Sequence, residues 1–234
     1  MRFIGLLAAS LFAASAASAA TIPVTNGDFE DSALALNMTF AGVGSLALDM
    51  NGYDVTGGVA TYSPAAGIYQ NVAPGSRVGI INGDDVWGGQ GTISQNLGVT
   101  IESGVSYTLS ALLGNRLDYT AFGGVAGFFA GDPSNIIAQS SKAAPGENGM
   151  LEAQSFAFDA LVFESFVGQT LGFFFTATGY KTQITIDNIS VAWQVQQALD
   201  LEKTLVNPIP GAAWLFGTAL FAGAAARRRK KALA

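Results

Sequence analysis

Apolar and polar residues alternate along several short segments of the chain. The clearest is 105–113, with the sequence VSYTLSALL, in which every second residue is apolar. This alternation is typical of a β-strand with one buried and one exposed face. The same reasoning predicts strands at 92–101, 151–158 and 181–193, and two strands that are apolar on both faces at 123–130 and 171–177.

The last predicted strand changes its alternation part-way along. Ile184 and Ile186 are apolar at even positions, whereas Ile189 and Val191 are apolar at odd positions. A regular strand cannot make this change without turning its apolar face outward, so the pattern predicts a β-bulge at residues 187–188. The bulge either frees Asp187 to turn toward an ion or another segment, or uses its side chain as a local cap.

Turn-forming residues separate the predicted strands. Examples are Asn51-Gly52, Gly88-Gly89 and Gly131-Asp132-Pro133. Many short strands without a long amphipathic helix predict an all-β fold, namely an antiparallel β-sandwich of jelly-roll type at residues 21–193. Residues 194–206 are expected to form a linker or short stalk.

The first twenty residues predict a secretory signal peptide. Arg2 supplies a positive charge, residues 3–13 are apolar, and Ala17-Ser18-Ala19 fits the small-residue cleavage pattern. The mature chain is therefore expected to begin at Ala20 or Thr21, and the protein to be exported across the inner membrane.

The opposite end, residues 207–234, predicts a sorting signal or a membrane anchor. Residues 211–226 carry no charge, and five consecutive cations follow at 227–231. At about 1.5 Å per residue the uncharged run reaches about 24 Å, less than the hydrocarbon core of about 30 Å. We expect a single hydrophobic helix held in the membrane temporarily, with its cations on the cytoplasmic side. An ordinary tail anchor is the alternative.

This tail resembles the PEP-CTERM sorting signal, in particular its VPLPA-type variant. The resemblance lies in Pro208-Ile209-Pro210, the apolar run, and the basic cluster that begins Arg227-Arg228-Arg229. It implies an exosortase-type membrane protease as partner, which cuts near the Pro motif. It also implies that the membrane contact precedes processing, and that the product resides in the cell envelope, at the outer surface or outside the cell.

The body between these two ends is strongly acidic. Of 11 basic residues, only Arg77, Arg116, Lys142, Lys181 and Lys203 lie between the ends, against all 17 acidic residues, which leaves a net charge of −12. Such a surface argues against nucleic acid as a partner, because binding to phosphates needs clustered Lys and Arg. The chain has no Cys and no His. A thiol nucleophile, a Ser-His-Asp triad and a histidine-ligated zinc site are therefore excluded.

Four motifs occur in an order similar to that of the galactose-binding-like jelly rolls of carbohydrate-binding modules. They are NGDFE at 26–30, ISQNL at 93–97, YTL at 107–109 and IDNIS at 186–190. In this family the first and last strands often meet at a structural calcium. By position, the resemblance implies calcium held by Glu30 and Asp187, with backbone carbonyls around Asn26 and Asp28 as further ligands. Calcium takes about six to eight oxygen ligands.

Two loops combine polar and aromatic residues that suit a sugar ligand. Asp85 and Trp87 lie in the glycine-rich segment GDDVWGGQG, and Arg116 and Tyr119 follow the predicted strand at 105–113. Loops carry binding residues more often than the scaffold does. The alternative for Trp87 is that it covers an edge of the sandwich.

Three functions remain open at this level. The first, which we expect, is a non-catalytic envelope or matrix protein that binds extracellular polysaccharide. The second is a purely structural surface protein. The third is a secreted calcium-bearing enzyme, either a cyclase that uses an Asp as acid or a glycosidase that uses two carboxylates. No pair of acidic residues is marked by its spacing, so the sequence favours a protein that is not an enzyme.

Overall fold

The computed structural model describes residues 19–31, 35–40, 44–83, 89–118, 123–142 and 148–196. This part of the chain is all-β, with two 3-10 helices of a single turn at Ala160–Val162 and Glu164–Phe166. Within these ranges no helix has the length and apolar character needed to cross a membrane. The predicted all-β class with antiparallel sheets is confirmed. The sorting tail and residues 1–18 of the signal peptide lie outside the described residues.

The described part of the chain forms thirteen strands. In chain order they are β1 (Ala20–Ile22), β2 (Met38–Phe40), β3 (Gly44–Ala47), β4 (Asp54–Thr56), β5 (Val59–Pro64), β6 (Val78–Asn82), β7 (Thr92–Thr100), β8 (Val105–Gly114), β9 (Gly124–Ala130), β10 (Ile136–Lys142), β11 (Leu151–Phe158), β12 (Thr170–Ala177) and β13 (Gln183–Val195).

These strands form two antiparallel sheets. The large sheet has the order β11-β8-β13-β6-β5-β3-β2, and β1 also pairs with β13. The small sheet has the order β10-β9-β12-β7-β4. Strand β13 therefore lies between β8 on one side and both β6 and β1 on the other, and the N-terminal segment after β1 enters the space left between β1 and β6.

The inner faces of the two sheets share one apolar core. Alternate residues of β8 and β13, such as Leu109 and Val191, pack in the same cluster as Phe128 and Phe173 of the small sheet. Phe128 is fully buried, and its ring contacts those of three other aromatic residues of the core, Tyr107, Phe158 and Phe163. Burial of such alternating apolar residues, rather than a disulfide, holds the two sheets together.

A second apolar cluster covers part of the outer face of the large sheet. Its sheet members include Tyr62, Val78 and Ile80, and the loop between β5 and β6 adds Tyr69. Leu112 of β8 packs against this cluster. The large sheet is therefore apolar on both faces in this region, which the alternation along β8 alone does not predict.

The predicted bulge in β13 is confirmed. The pairing of β13 with β8 shifts register between Asp187 and Ser190, and Asn188 has a φ of 49°. The extra residue restores the inward direction for Ile189 and Val191 after the change of alternation. The bulge occurs opposite the N-terminal segment, where the candidate site lies.

Candidate active site

Asp187 lies on the outer face of the large sheet, immediately before the bulge. It is paired with Leu112 of β8, and paired residues of neighbouring strands extend to the same face. Leu112 packs against the outer apolar cluster. The Asp187 carboxyl group is half-buried as a result, and its Oδ1 accepts a hydrogen bond of 2.8 Å from the N–H of Asn188.

Residues 26–31, here called the acidic loop, lie beside the bulge. The loop is fastened to β13 by the Ile189 N–H, which donates to the Gly27 carbonyl at 2.8 Å. Asn26 and Phe29 both have positive φ, at 50° and 56°. The Phe29 ring is fully buried and stacks on Tyr53 with ring centroids 5.4 Å apart. This anchor brings the carboxylates of the loop close to Asp187.

The proximity of these acidic groups changes their electrostatics. Burial, with smaller contributions from the charges of Glu30 and Asp28, raises the pKa of Asp187 to about 6, although the hydrogen bond from Asn188 acts in the opposite direction. Burial also raises the pKa of Tyr53, and the charges of Asp28 and Asp187 add to this effect. Asp187 is thus a carboxyl group that carries a proton more readily than an ordinary surface Asp.

The same oxygen atoms have the chemistry that calcium prefers. Asp28 and Glu30 are exposed carboxylates, and the Asn26 carbonyl accepts a hydrogen bond of 3.2 Å from the Tyr53 hydroxyl. Glu30 Oε1 already accepts the N–H of Arg77 at 2.9 Å. Within the described ranges, no three acidic side chains come together closely enough to hold a metal ion by themselves. A calcium ion here would therefore need carbonyl oxygens and water as well.

An open groove of about 280 Å³ lies next to Asp187 on the outer face. It is lined by small and polar residues of β8 and β11, including Ser110 and Ser155, by Leu112, and by Asn188 of the bulge. Beyond Leu112, the Tyr69 hydroxyl makes a buried hydrogen bond of 2.5 Å with the Thr185 hydroxyl. Asp187 therefore lies between this open groove, to which its neighbours Leu112 and Asn188 contribute, and the outer apolar cluster.

Arg116 belongs to a second polar cluster. Its guanidinium group pairs with the Asp118 carboxylate and lies over the Tyr62 ring, 5.5 Å from the centroid. Among the other predicted ligand residues, Asp85, Trp87 and Tyr119 lie outside the described residues, and their role in binding stays a prediction.

The structure places the four residues predicted to bind a metal in two neighbouring segments, Asn26, Asp28 and Glu30 in the acidic loop and Asp187 at the bulge, but it does not gather the three carboxyl groups into one metal-binding cluster. Sequence reasoning missed Tyr53, Tyr69, Thr185 and Gln95, although all four contact the site or the segments that carry it. Nothing in their local pattern marks them, because each makes its contact to a residue at least 27 positions away. Gln95 falls within the motif ISQNL at 93–97, and this was the one sequence feature that pointed to a role for it.

Comparison with known proteins identifies a family. The model of the HpiC1-like family, described as HpiC1 cyclase, matches residues 20–192. The fold is similar to that of an apo cyclase from Fischerella sp., with a TM-score of 0.61 and 18% identity over 77% of this chain and 99% of that one. It is also similar to a Stig cyclase from Fischerella sp. TAU in complex with (3Z)-3-(1-methyl-2-pyrrolidinylidene)-3H-indole, with a TM-score of 0.61 and 17% identity over 77% of this chain and 100% of that one.

A further structure of a cyclase from Fischerella sp. TAU contains 4-(1H-indol-3-yl)butan-2-one. Its TM-score is 0.59 and its identity 19%, over 76% of this chain and 100% of that one. No curated protein sequence gives a significant match. At these identities the solved structures support the fold alone, and the family assignment comes from the family model.

These findings correct the expected function. The prediction of a non-catalytic polysaccharide-binding protein is wrong, and so is the prediction that the protein is not an enzyme, because the matched family is one of cyclases. The enzyme alternative is favoured. The sequence argument failed because it looked for a spaced pair of acids, whereas a single carboxyl group can act as an acid if burial raises its pKa.

Proposed function

This chain belongs to the HpiC1-like cyclase family, and we propose that it is itself a cyclase, built on a jelly-roll sandwich, that closes a ring in a small organic substrate by acid catalysis. The match of the family model over residues 20–192 is the observation that carries this proposal. The match spans the whole path from β1 to the bulge of β13, so it includes every residue of the candidate site.

Asp187 is the proton donor in this proposal. Burial raises the pKa of its carboxyl group to about 6, and a catalytic acid works best when its pKa lies near the working pH. Its Oδ1 accepts the Asn188 N–H, which leaves Oδ2 for the substrate. The proton adds to an unsaturated carbon, and a π-bond of the same molecule attacks the resulting cation. The cyclised cation then returns a proton to the Asp187 carboxylate, which completes the ring and restores the acid. The product is an isomer of the substrate, and no oxidant or reductant is needed.

The substrate occupies the groove beside Asp187 in this proposal. The neighbouring apolar cluster shields the carboxyl group from water and favours an apolar or aromatic substrate over a sugar. Two of the similar cyclase structures from Fischerella are described as complexes with indole compounds. We therefore choose indoles that carry an unsaturated side chain as the substrate panel.

The test is a cyclisation assay of the purified full chain by liquid chromatography and mass spectrometry. A product of unchanged mass and altered retention time is expected. Asp187→Asn should lower the rate by at least about 100-fold, the lower range for loss of a general acid. The matched control is Asp159→Asn, at an exposed position, which should keep the wild-type rate. A rate that survives in Asp187→Asn refutes the assignment of the acid.

We also propose that calcium binds the acidic loop. Asp28 and Glu30 would hold it together with water, and it would neutralise the charge next to the bulge. The Asn26 carbonyl accepts hydrogen bonds from the Phe29 N–H at 3.1 Å and the Tyr53 hydroxyl at 3.2 Å, so it would have to give up one of them to bind calcium. The sequence prediction also included Asp187 among the ligands. A carboxylate bound to calcium cannot carry the proton that the cyclase proposal requires, so the two roles of Asp187 exclude one another.

Calorimetric titration with calcium separates these two roles. Glu30→Gln is expected to weaken calcium binding, and Asp187→Asn to leave it intact while cyclisation is lost. If both variants lose calcium to the same extent, Asp187 is a ligand, and the proton donor must be another group.

Export through the two chain ends is a separate proposal. The signal peptide and the PEP-CTERM-like tail, with Pro208-Ile209-Pro210 before the basic cluster, support a cyclase delivered to the cell envelope or beyond. Intact mass and cell fractionation, with and without the exosortase-type protease, test it. An unprocessed tail in cells that contain the protease refutes it.

A further inference from the structure

Gln95 is a buried polar residue at the edge of the shared core. It lies in β7 of the small sheet, two positions from Ile93, and the two side chains therefore extend to the same, inner face. Its exposed fraction is 6%, and Ile93 is fully buried. An amide that is buried among apolar residues is costly unless its donors and acceptor are all satisfied.

All three groups of the amide are satisfied by main-chain atoms. Gln95 Oε1 accepts the Thr25 N–H at 2.9 Å. Its Nε2 donates to the Thr25 carbonyl at 3.0 Å and to the Gly52 carbonyl at 2.7 Å. One side chain of the small sheet thus ties together two segments that are distant in sequence, the end of the N-terminal segment and the turn before β4.

These two segments are the supports of the acidic loop. Thr25 directly precedes Asn26, where the loop begins. On the other side, the Asn26 side-chain amide donates to the Asn51 carbonyl at 2.8 Å, and the Tyr53 hydroxyl donates to the Asn26 carbonyl at 3.2 Å. The amide of Gln95 therefore fixes the start of the loop and the turn that braces it at the same time.

The loop has little freedom once these supports are in place. The Ile189 N–H bonds to the Gly27 carbonyl, and a Cβ built on Gly27 would come within 2.5 Å of the Ile189 carbonyl oxygen. The distance between the loop and β13 is therefore narrowly defined. A displacement of Thr25 moves the loop carboxylates relative to the bulge.

We propose that Gln95 is a positioning residue for the acidic loop: its amide holds the loop carboxylates at the bulge of β13 in the arrangement that binds a divalent cation. The cation part of this inference rests on the proposed calcium site. The positioning part rests on the three hydrogen bonds alone. Gln95 acts through the main chain of Thr25 and Gly52 and is not itself a ligand.

The test compares Gln95→Met with wild type. Met has nearly the same length and volume but makes none of the three hydrogen bonds. The matched control is Gln139→Met, at an exposed position of β10 in the same sheet. Hydrogen exchange by mass spectrometry is measured without calcium for peptides that cover residues 24–31 and 124–130, and calcium affinity is measured by calorimetry.

The expected result is a local change. In Gln95→Met, exchange in residues 24–31 should become at least about tenfold faster, which corresponds to the loss of the net free energy of one or more hydrogen bonds. Exchange in residues 124–130, in β9 between β10 and β12, should stay the same. The dissociation constant for calcium should rise at least about tenfold, and the control should match wild type in every measurement.

Two outcomes would overturn the positioning role. One is unchanged exchange in residues 24–31 of Gln95→Met. The other is an equal increase in both peptides, which is the result of general destabilisation. If wild type binds no calcium, the calcium proposal fails, while the exchange data still decide whether Gln95 holds the loop.

Discussion

The hydrogen bond between Tyr69 and Thr185 joins the loop between β5 and β6 to β13. Thr185 lies two residues before Asp187. The two hydroxyl oxygens are 2.5 Å apart, Tyr69 is 6% exposed, and Thr185 is fully buried. The two residues are 116 positions apart in the chain, so the bond links distant segments. We predict that this pair stabilises the fold through the outer face of the large sheet.

The expected magnitude follows from what each change leaves behind. Tyr69→Phe removes one hydroxyl group and leaves the Thr185 hydroxyl buried without its partner, which costs about 1–3 kcal/mol. Thr185→Val leaves the Tyr69 hydroxyl buried without its partner and lowers the free energy of unfolding by a similar amount. The double variant replaces both partners by apolar groups of nearly the same shape, which is close to neutral for the hydrogen bond. The costs of the two single changes should therefore sum to at least about 2 kcal/mol more than the cost of the double variant, and this difference is the coupling free energy.

The assay is urea unfolding followed by circular dichroism for the four members of the cycle. Each 1 kcal/mol should also lower the melting temperature by about 2–4 °C for a domain of this size. Tyr180→Phe is the matched control, because Tyr180 is 64% exposed, and it should change the unfolding free energy by less than about 0.5 kcal/mol. Single changes that add within about 0.3 kcal/mol would refute the coupling.

Three other predictions follow from the site and the core. Gly27→Ala should destabilise the fold by about 1–3 kcal/mol in urea unfolding, because its Cβ would lie 2.5 Å from the Ile189 carbonyl oxygen; wild-type stability would show that the loop can move away. Phe128→Ala should cost about 3–5 kcal/mol, since the ring is fully buried, and a loss below about 1 kcal/mol would contradict the shared core. Excess chelator should lower the melting temperature of calcium-saturated protein by several degrees, since a ligand at about 100 times its dissociation constant contributes about 2.7 kcal/mol; an unchanged value would rule out a structural calcium.

Six of the thirteen described strands were predicted, because they follow local alternation or an apolar run, namely β7, β8, β9, β11, β12 and β13. The strands β1 to β6 and β10 were not predicted. The predicted segments at 105–113 and 151–158 correspond to β8 (Val105–Gly114) and β11 (Leu151–Phe158). The bulge was also predictable, since the change of alternation in a single strand leaves few ways to keep both halves buried. The second apolar cluster was not, because it depends on a loop that folds over the outer face of the large sheet.

For the candidate acid, too, one part was predictable from local sequence and the other depends on tertiary packing. Asp187 stood out in the sequence because of its place at the bulge, and the motif resemblance suggested a metal ligand. Its raised pKa comes from burial beside Leu112 and from the nearby charges of Glu30 and Asp28, which approach only through tertiary packing. A chemical role that depends on such an environment cannot be read from residue types and spacing.

The sequence by itself determined the all-β class, six of the described strands and the bulge, because these depend on periodicity and turn residues close together in the chain. It also excluded every reaction that needs Cys or His. Only the tertiary structure decided which residues share the site, since Gln95, Tyr53 and Thr185 bond to partners that are distant in sequence. The raised pKa of Asp187 belongs to this second group, because desolvation and charge proximity are properties of the packed chain.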